Sequence, residues 1–403
     1  MVQMHRFQSN GTNIAITIRQ YVEVDMYLRI RAAAFLLVML VLVATSGQAA
    51  AETYAPVMPL AARSLLLDID ITGERIVTAG ERGHILYSDD NGDSWQQARV
   101  ATLQMLTGVH FVDEKRGWAV GHDGLILVSD DRGASWRIQR DGLAAQQQTN
   151  LELREHAHQQ IIALEQRLEK ADEDTRPELE MELEDAVMDL EDADLTLEEA
   201  VFTSPLMDVW FQDDKRGWAV GAFGALVTTS DAGQHWTSQP ELVDNPDEFH
   251  LNTITGDGKH RVFIAGEGGV MFRSLDSGQS WQSLDPFYEG SWFGTVYSAK
   301  HDTLLLFGLR GSLYRSTDFG DTWVAVSTDN NITLAGGSVS SNGDIVLAGG
   351  VGTVLRSRDG GLSFQRSMIP DRLSLSSGLA RDGRLILIGQ GGVKIREVDN
   401  GYD

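Results

Sequence analysis

The stretch WAVGHDGLILVSDDRGASW, residues Trp118 to Trp136, decides the fold. An apolar run ends in Ala-Val-Gly, a short tip closes at Gly124, and a second apolar run follows. The unit then ends in Ser129-x-Asp131-x-Gly133-x-x-Trp136. Both runs favour β structure and are bounded by glycine, the signature of antiparallel strands joined at a tight tip. In the closing turn each residue has a mechanical role. Asp131 accepts hydrogen bonds from turn amides, Gly133 takes a positive φ and Trp136 buries a large apolar area between sheets. Ser129 caps the turn from two positions before the Asp.

The same unit recurs along the chain. It reads VTAGERGHILYSDDNGDSW at Val77–Trp95, WAVGAFGALVTTSDAGQHW at Trp218–Trp236 and FIAGEGGVMFRSLDSGQSW at Phe263–Trp281. It returns as LLFGLRGSLYRSTDFGDTW at Leu305–Trp323 and VLAGGVGTVLRSRDGGLSF at Val346–Phe364. A seventh copy, LILIGQGGVKIREV at Leu385–Val398, lacks the turn. The turn positions are Asp90, Asp131, Asp231, Asp276, Asp318 and Asp359, with Trp95, Trp136, Trp236, Trp281, Trp323 and Phe364 as the aromatics. In the third copy Thr228 or Thr229 stands in for the capping serine. The tip glycines are Gly80, Gly121, Gly221, Gly266, Gly308, Gly349 and Gly389. One gap of 100 residues interrupts spacings of 40 to 45. Allowing for one insertion of about 58 residues, the unit averages about 42, the length of a four-stranded propeller blade. The predicted fold is all-β: a seven-bladed β-propeller. The last copy lacks an outer strand, and Tyr54 to Arg63, ahead of the first copy, is the expected donor that closes the ring.

Residues 143–200 contain no glycine and one proline. Apolar positions 157, 161, 164, 168 and 171, then 179, 183, 186, 190, 193 and 197, step by three and four. Such steps are heptad seams. Asp174 or Thr175, ahead of Pro177, is placed to cap a second helix. The expectation is an inserted antiparallel α-helical hairpin, a coiled coil between blades 2 and 3. It pairs through Ile161, Leu164, Leu168, Leu183, Leu190 and Leu197. Domains follow as 52–142 for blades 1 and 2 with the closing strand, 143–200 for the hairpin and 201–403 for blades 3 to 7. The formal charge of the 403-residue chain is −25. Residues 151–200 hold 18 acids against 4 bases, so most of that charge sits on the hairpin. An acidic hairpin is either a solvated surface or an arm for a basic partner.

The charge argues against nucleic-acid binding, and the chain has no cysteine for disulfides, thiolate metal sites or lipid attachment. Arg29 and Arg31, the apolar run Ala32–Ala44 and the small residues up to Ala51 read as a signal peptide over 26–51. The run has 13 residues, fewer than the about 20 of a membrane span. An uncleaved anchor is the alternative. Residues 1–25 read as an extension ahead of the true start at Met26. Cleavage near Ala51 sends the mature chain to the periplasm or another extracytoplasmic compartment.

Catalytic motifs are absent: no P-loop, no Gly-x-Ser-x-Gly and no His-Glu-x-x-His. His156 and His158 diverge on a helix. Asp89–Asp93 has its glycine at the wrong position for a calcium loop. No cofactor, metal or catalytic residue is expected. The candidate partner-binding residues are instead on the face that carries the tips. They are Arg82, His122, Asp123, Phe223, Glu267 and Arg310, with His84 and Gln390 nearby. The connection Asp285–Phe293 adds Phe287, Tyr288 and Trp292, since clustered aromatics suit interfaces. The alternative is that Trp292 and Phe293 begin a core strand. The hairpin rises from this same face.

The Ser-x-Asp-x-Gly-x-x-Trp turn is the Asp-box, or BNR repeat. With the WAVG-x-x-G units it makes the chain outside 143–200 resemble the photosystem II stability and assembly factor family of seven-bladed propellers, including non-photosynthetic bacterial homologues. The resemblance implies a non-catalytic scaffold that binds protein and assists assembly or stability of a membrane complex. In a photosynthetic organism that complex is photosystem II; in other bacteria, an envelope transporter served by a periplasmic accessory. The family's arginine-rich binding surface is not carried over to this acidic chain. Asp-boxes also occur in glycosidases, so a sialidase-like or other glycoside hydrolase is the alternative. The Phe-Arg-Ile-Pro motif of sialidases is absent, and Arg366–Pro370 does not supply it.

Overall fold

The computed structural model describes residues 53–329 and 331–398; the upstream extension, signal and cleavage site expected at 1–51 lie outside them. Among the described residues the chain forms seven sheets, here I to VII in chain order. Five have four strands, sheet II has five and sheet VII has three. The first strands are Leu66–Thr72, Leu106–Phe111, Leu206–Phe211, Leu251–Gly256, Trp292–Ser298, Leu334–Val339 and Leu375–Arg381. They line a central channel. Second strands such as Gly117–Gly121, Gly217–Gly221 and Ile345–Gly349 are buried at every position. Sheets cover both of their faces, so they read as continuous apolar runs rather than alternations.

The tip glycines recur for a steric reason. A Cβ on Gly80, Gly121, Gly221, Gly266, Gly308, Gly349 or Gly389 would sit 2.0 to 2.4 Å from the carbonyl oxygen just before the first strand of its own sheet. Six of these backbones are extended, so close approach, not a left-handed dihedral, demands glycine there.

The closing turns share one hydrogen-bond pattern. Ser129 Oγ donates to Asp131 Oδ1 (2.9 Å) and accepts from Gly133 N (2.8 Å). Asp131 also accepts from Ser135 N and Ser135 Oγ at 2.8 and 2.6 Å. The pattern repeats at Asp90, Asp276, Asp318 and Asp359. At Asp231 the capping hydroxyl is that of Thr229, and His235 replaces the closing serine. Hydrogen bonds led by the Ser94 hydroxyl hold Asp90 down at about 2, and the His235 amide leads the same shift to about 2 at Asp231. Each turn delivers its aromatic into the gap to the preceding sheet. Trp136 packs among Val77, Ile85 and Phe111, with its indole donating to Gly133 O at 3.0 Å. Trp95 does the same between sheets I and VII.

Sheet I thus packs on sheet VII through Leu66, Ile69, Ile76 and Leu86 against Leu379, Ile386 and Ile388. Arg381 pairs with Glu74, and Arg384 with Asp93 at 2.8 Å. The expected closing strand is corrected: Tyr54–Arg63 adds no strand to sheet VII. Ala55 N donates to Val100 O in the outer strand of sheet II and Met58 N to Gln97 Oε1 in that of sheet I, both at 2.9 Å, so the segment follows the outer edges of sheets I and II. Pro56 and Pro59 remove ladder donors there. The segment then forms a single helical turn, Ala61–Arg63, whose Ala62 O accepts from Val393 N at 3.0 Å.

Between sheets II and III the chain forms helices α1 (Gly142–Leu168) and α2 (Arg176–Glu198). Asp141 caps α1 by accepting from Ala144 N. Ala157, Leu164, Leu179 and Ala186 are buried between the helices, with Ile161, Leu168 and Leu183 packed beside them. Arg154–Asp194 and Arg167–Glu182 bridge the pair at 2.5 and 3.1 Å.

Trp136 is 2% exposed, so Trp136→Ala opens a cavity costing about 3–5 kcal/mol. Asp131→Ala leaves turn donors to water and costs about 1–2 kcal/mol. Urea midpoints should order wild type above Asp131→Ala above Trp136→Ala, and a reversed order contradicts this account of the turn.

Candidate functional site

Two surfaces carry chemistry: the tip face at the foot of the helical hairpin, and the central channel. On the tip face, the middle residue of each turn stands in the left-handed region. Arg82, Asp123, Phe223, Arg310 and Val351 have φ between 54° and 58°. That region costs a non-glycine residue roughly 1–2 kcal/mol and is rare for bulky or β-branched side chains. Of these, Phe223 is 52% exposed and Val351 41%, and Asp123 is half-buried.

The hairpin meets this face directly. Arg140 Nη1 donates to Gly124 O at 2.5 Å, and Gly142 lies where a Cβ would be 2.2 Å from Asp123 O. On its return the chain sets Phe202, 66% exposed, edge-on to Phe223 at 6.2 Å. Phe223 is edge-on to His250 at 4.9 Å, and His250 Nδ1 lies 3.7 Å from Glu267. Phe202 gives no sequence signal because it sits in an irregular segment between the hairpin and the strand Leu206–Phe211, with no repeat to flag it.

Arg82, His122, Glu267 and Arg310 are exposed on the tips and Asp123 is half-buried. The aromatic connection is corrected in part. Trp292 is fully buried, because it begins the first strand of sheet V, and its indole donates to Gly269 O at 3.3 Å. Tyr288 is half-buried and donates its hydroxyl to Leu309 O at 3.0 Å. Phe287 stays exposed and packs on Tyr314 and Trp323, away from Phe223, beside a cavity of about 620 Å³. His84 is buried, its Nδ1 3.0 Å from Ser64 Oγ.

The channel, about 340 Å³, is laced from sheet to sheet by side chains of the first strands. Asp68 accepts from Val109 N and Asp70 from Phe111 N, joining sheets I and II at 2.9 and 2.7 Å. Thr107 donates to Leu206 O, Asp208 accepts from Ile254 N, Asn252 donates to Trp292 O and Ser338 donates to Gly378 O. Each aspartate also accepts from the next amide of its own strand. Burial first, then the charge of Asp208, pushes Asp68 up to about 8; burial likewise raises Asp208 to about 6 and raises Asp70. Burial lowers His110, which stands 3.7 Å from Asp70. With both oxygens engaged by amides, these carboxylates act as staples. The sequence signal was the alternation Leu66-Leu-Asp-Ile-Asp-Ile71, which places acids on one face of a first strand. Among the described residues no group of three His, Asp or Glu side chains is placed to hold a metal, and no helix is long and apolar enough to cross a membrane.

This chain matches the family model described as photosynthesis system II assembly factor YCF48 over residues 189–346. Over those residues the chain resembles the photosystem II assembly factor-like BNR-repeat propellers. It is 29% identical over 191 residues to the photosystem II assembly lipoprotein Ycf48 of Synechococcus sp. (strain CC9902), covering 46% of this chain and 56% of that one. To the photosystem II assembly protein Ycf48 of Thermosynechococcus vestitus it is 27% identical over 202 residues, 49% and 58% of the two chains. The chain therefore spans a little over half the length of these relatives. Among solved structures it resembles YCF48 bound to D1 peptide, with a TM-score of 0.56, 15% identity and 85% and 96% coverage of the two chains. It also resembles YCF48 from Cyanidioschyzon merolae, with a TM-score of 0.55, 14% identity and 87% and 99% coverage. The WD40 β-propeller domain of Doa1 follows at 0.53, 11% identity and 85% and 95% coverage. These likenesses fix the fold as a β-propeller.

The staples give a pH signature to this BNR-repeat propeller. Asp68 is held at about 8 against 3.8 when unfolded, so between those values the folded chain binds the extra proton. Its contribution to stability therefore falls as pH rises from about 4 to about 8. Asp68→Asn removes that slope, while its loss of one acceptor is the same at every pH. Melting temperatures taken from pH 4.5 to 8.5 should show the variant gaining on wild type as pH rises; a constant difference contradicts the assignment.

Proposed function

We propose that the protein is an exported, non-catalytic scaffold that binds a protein of a membrane complex through its tip face and so assists assembly or stability of that complex. The observation that carries this reading is the exposed Phe202–Phe223 pair, held in a strained tip at the foot of the hairpin. Exposed aromatics on a rigid frame are the usual anchors of protein interfaces. The seven sheets, on this reading, are the seven blades of one ring, and the six turns are Asp-boxes that set blade spacing. The D1 peptide bound by a structural neighbour supports a peptide or protein ligand. In a photosynthetic source the complex is photosystem II; in another Gram-negative source it is an envelope transporter, with this chain as a periplasmic accessory. The signal over 26–51 and a relative named as a lipoprotein support a place outside the cytoplasm.

A glycoside hydrolase would need two free carboxylates about 5–10 Å apart at an open centre. The channel has acids, but Asp68, Asp70 and Asp208 spend their oxygens on backbone amides of neighbouring strands. That commitment favours the scaffold.

Replacing an interface anchor costs more than 1 kcal/mol, about tenfold in affinity. Phe223→Asp should therefore cut recovery of membrane proteins from solubilised membranes by about tenfold, with the melting temperature kept close to wild type. An unchanged set and yield of co-purified proteins sinks the tip-face reading.

A further inference from the structure

The hairpin has an outer face as well as a seam. On α2, Met181, Met188 and Leu195 are 62%, 52% and 60% exposed, and they follow one another at seven-residue spacing. At about 100° per residue they form one continuous stripe. The seam residues Leu179, Leu183, Ala186 and Leu190 lie about 160–200° away round the helix, against α1. The stripe therefore points away from the partner helix and is exposed. Glu178, Glu184, Asp185, Glu191 and Asp192 flank it. Among the described residues nothing covers it, so it does not serve their packing.

We propose that this stripe docks an amphipathic helix of the protein partner, apolar along one face and rich in Lys or Arg beside it. The chemistry selects this occupant over others. An apolar line repeating every seven residues is the complement of a helix packed nearly parallel, not of an extended peptide. The flanking acids pair with Lys or Arg at the edges of such a helix, as in coiled coils. A second copy is disfavoured: residues 151–200 carry 18 acids and 4 bases, so two arms repel. An anionic lipid surface is repelled for the same reason. Two of the three stripe residues are methionine, whose flexible thioether adapts to an irregular apolar partner. The proposal rests on the scaffold reading and gives one of its contacts a partner chemistry.

The test uses the full chain and a fluorescent 21-residue model helix with leucine at the apolar heptad positions and lysine beside them. Fluorescence anisotropy reads binding. Met181→Ser/Met188→Ser/Leu195→Ser removes the stripe without touching the seam. The expected result is binding by wild type, about tenfold weaker binding by the triple variant, and weakening as salt rises. A peptide with serine in place of leucine but the same lysines should bind about tenfold less. Equal binding by the triple variant, or by the serine peptide, overturns the proposal in favour of bare charge attraction. Concentration-dependent dimers of wild type that the triple variant loses assign the stripe to a second copy and overturn it. Stripe-dependent binding to phosphatidylglycerol vesicles assigns it to lipid and also overturns it. Phe223→Asp should leave peptide binding unchanged. Loss of membrane-protein recovery in Phe223→Asp alongside no peptide binding by wild type rejects this inference while keeping the scaffold.

Discussion

The molecule depends on an aromatic wedge. A propeller sheet is apolar on both faces and cannot stand alone, so each must press on two neighbours. Outer strands splay apart around a ring, and the gap there needs a bulky filler. The Ser-x-Asp turn solves both problems in a few residues. Its hydroxyl and carboxylate satisfy the turn amides, and its geometry throws Trp or Phe back against the preceding sheet. At the opposite radius the channel staples do the same work with polar groups, tying first strand to first strand.

Much of this was legible because it repeats. The tip glycines are forced by a carbonyl about one atom's width away, so they recur at the same place in every copy and set the period. The hairpin was legible because a seam of Leu, Ile and Ala at heptad spacing has no other use. What failed to be legible lacked a repeat. Tyr54–Arg63 looked like a missing strand, yet with two prolines it runs along the outer edges of sheets I and II. Trp292 looked like an interface aromatic because it stood beside Phe287 in sequence. Trp292 begins a strand and turns into the core, its neighbour Phe293 alternates outward, and Phe287 stays in the exposed connection. The channel aspartates were hidden among 58 acids, although their alternation with Leu and Ile marks a first strand.

The repeat is broken on one face. The tips share a backbone but not a side chain: Arg, Asp, Phe, Gly, Arg and Val occupy the same middle position in successive sheets. The frame therefore displays different groups at equal spacing on one face. Beside the one aromatic tip the chain inserts an acidic hairpin, and the return segment adds a second exposed phenylalanine. A frame laced sheet to sheet by staples gives such a face little freedom to lose on binding.

Hydroxyl-radical footprinting of the protein in its native membrane extract tests the central claim most directly, since Met and Phe report their own exposure. The account predicts protection of Phe202, Phe223, Met181 and Met188 relative to the isolated chain, with Leu275 and Leu362 on the outer turns unchanged. Protection confined to the outer turns, with Phe202 and Phe223 as reactive as in the isolated chain, would contradict it.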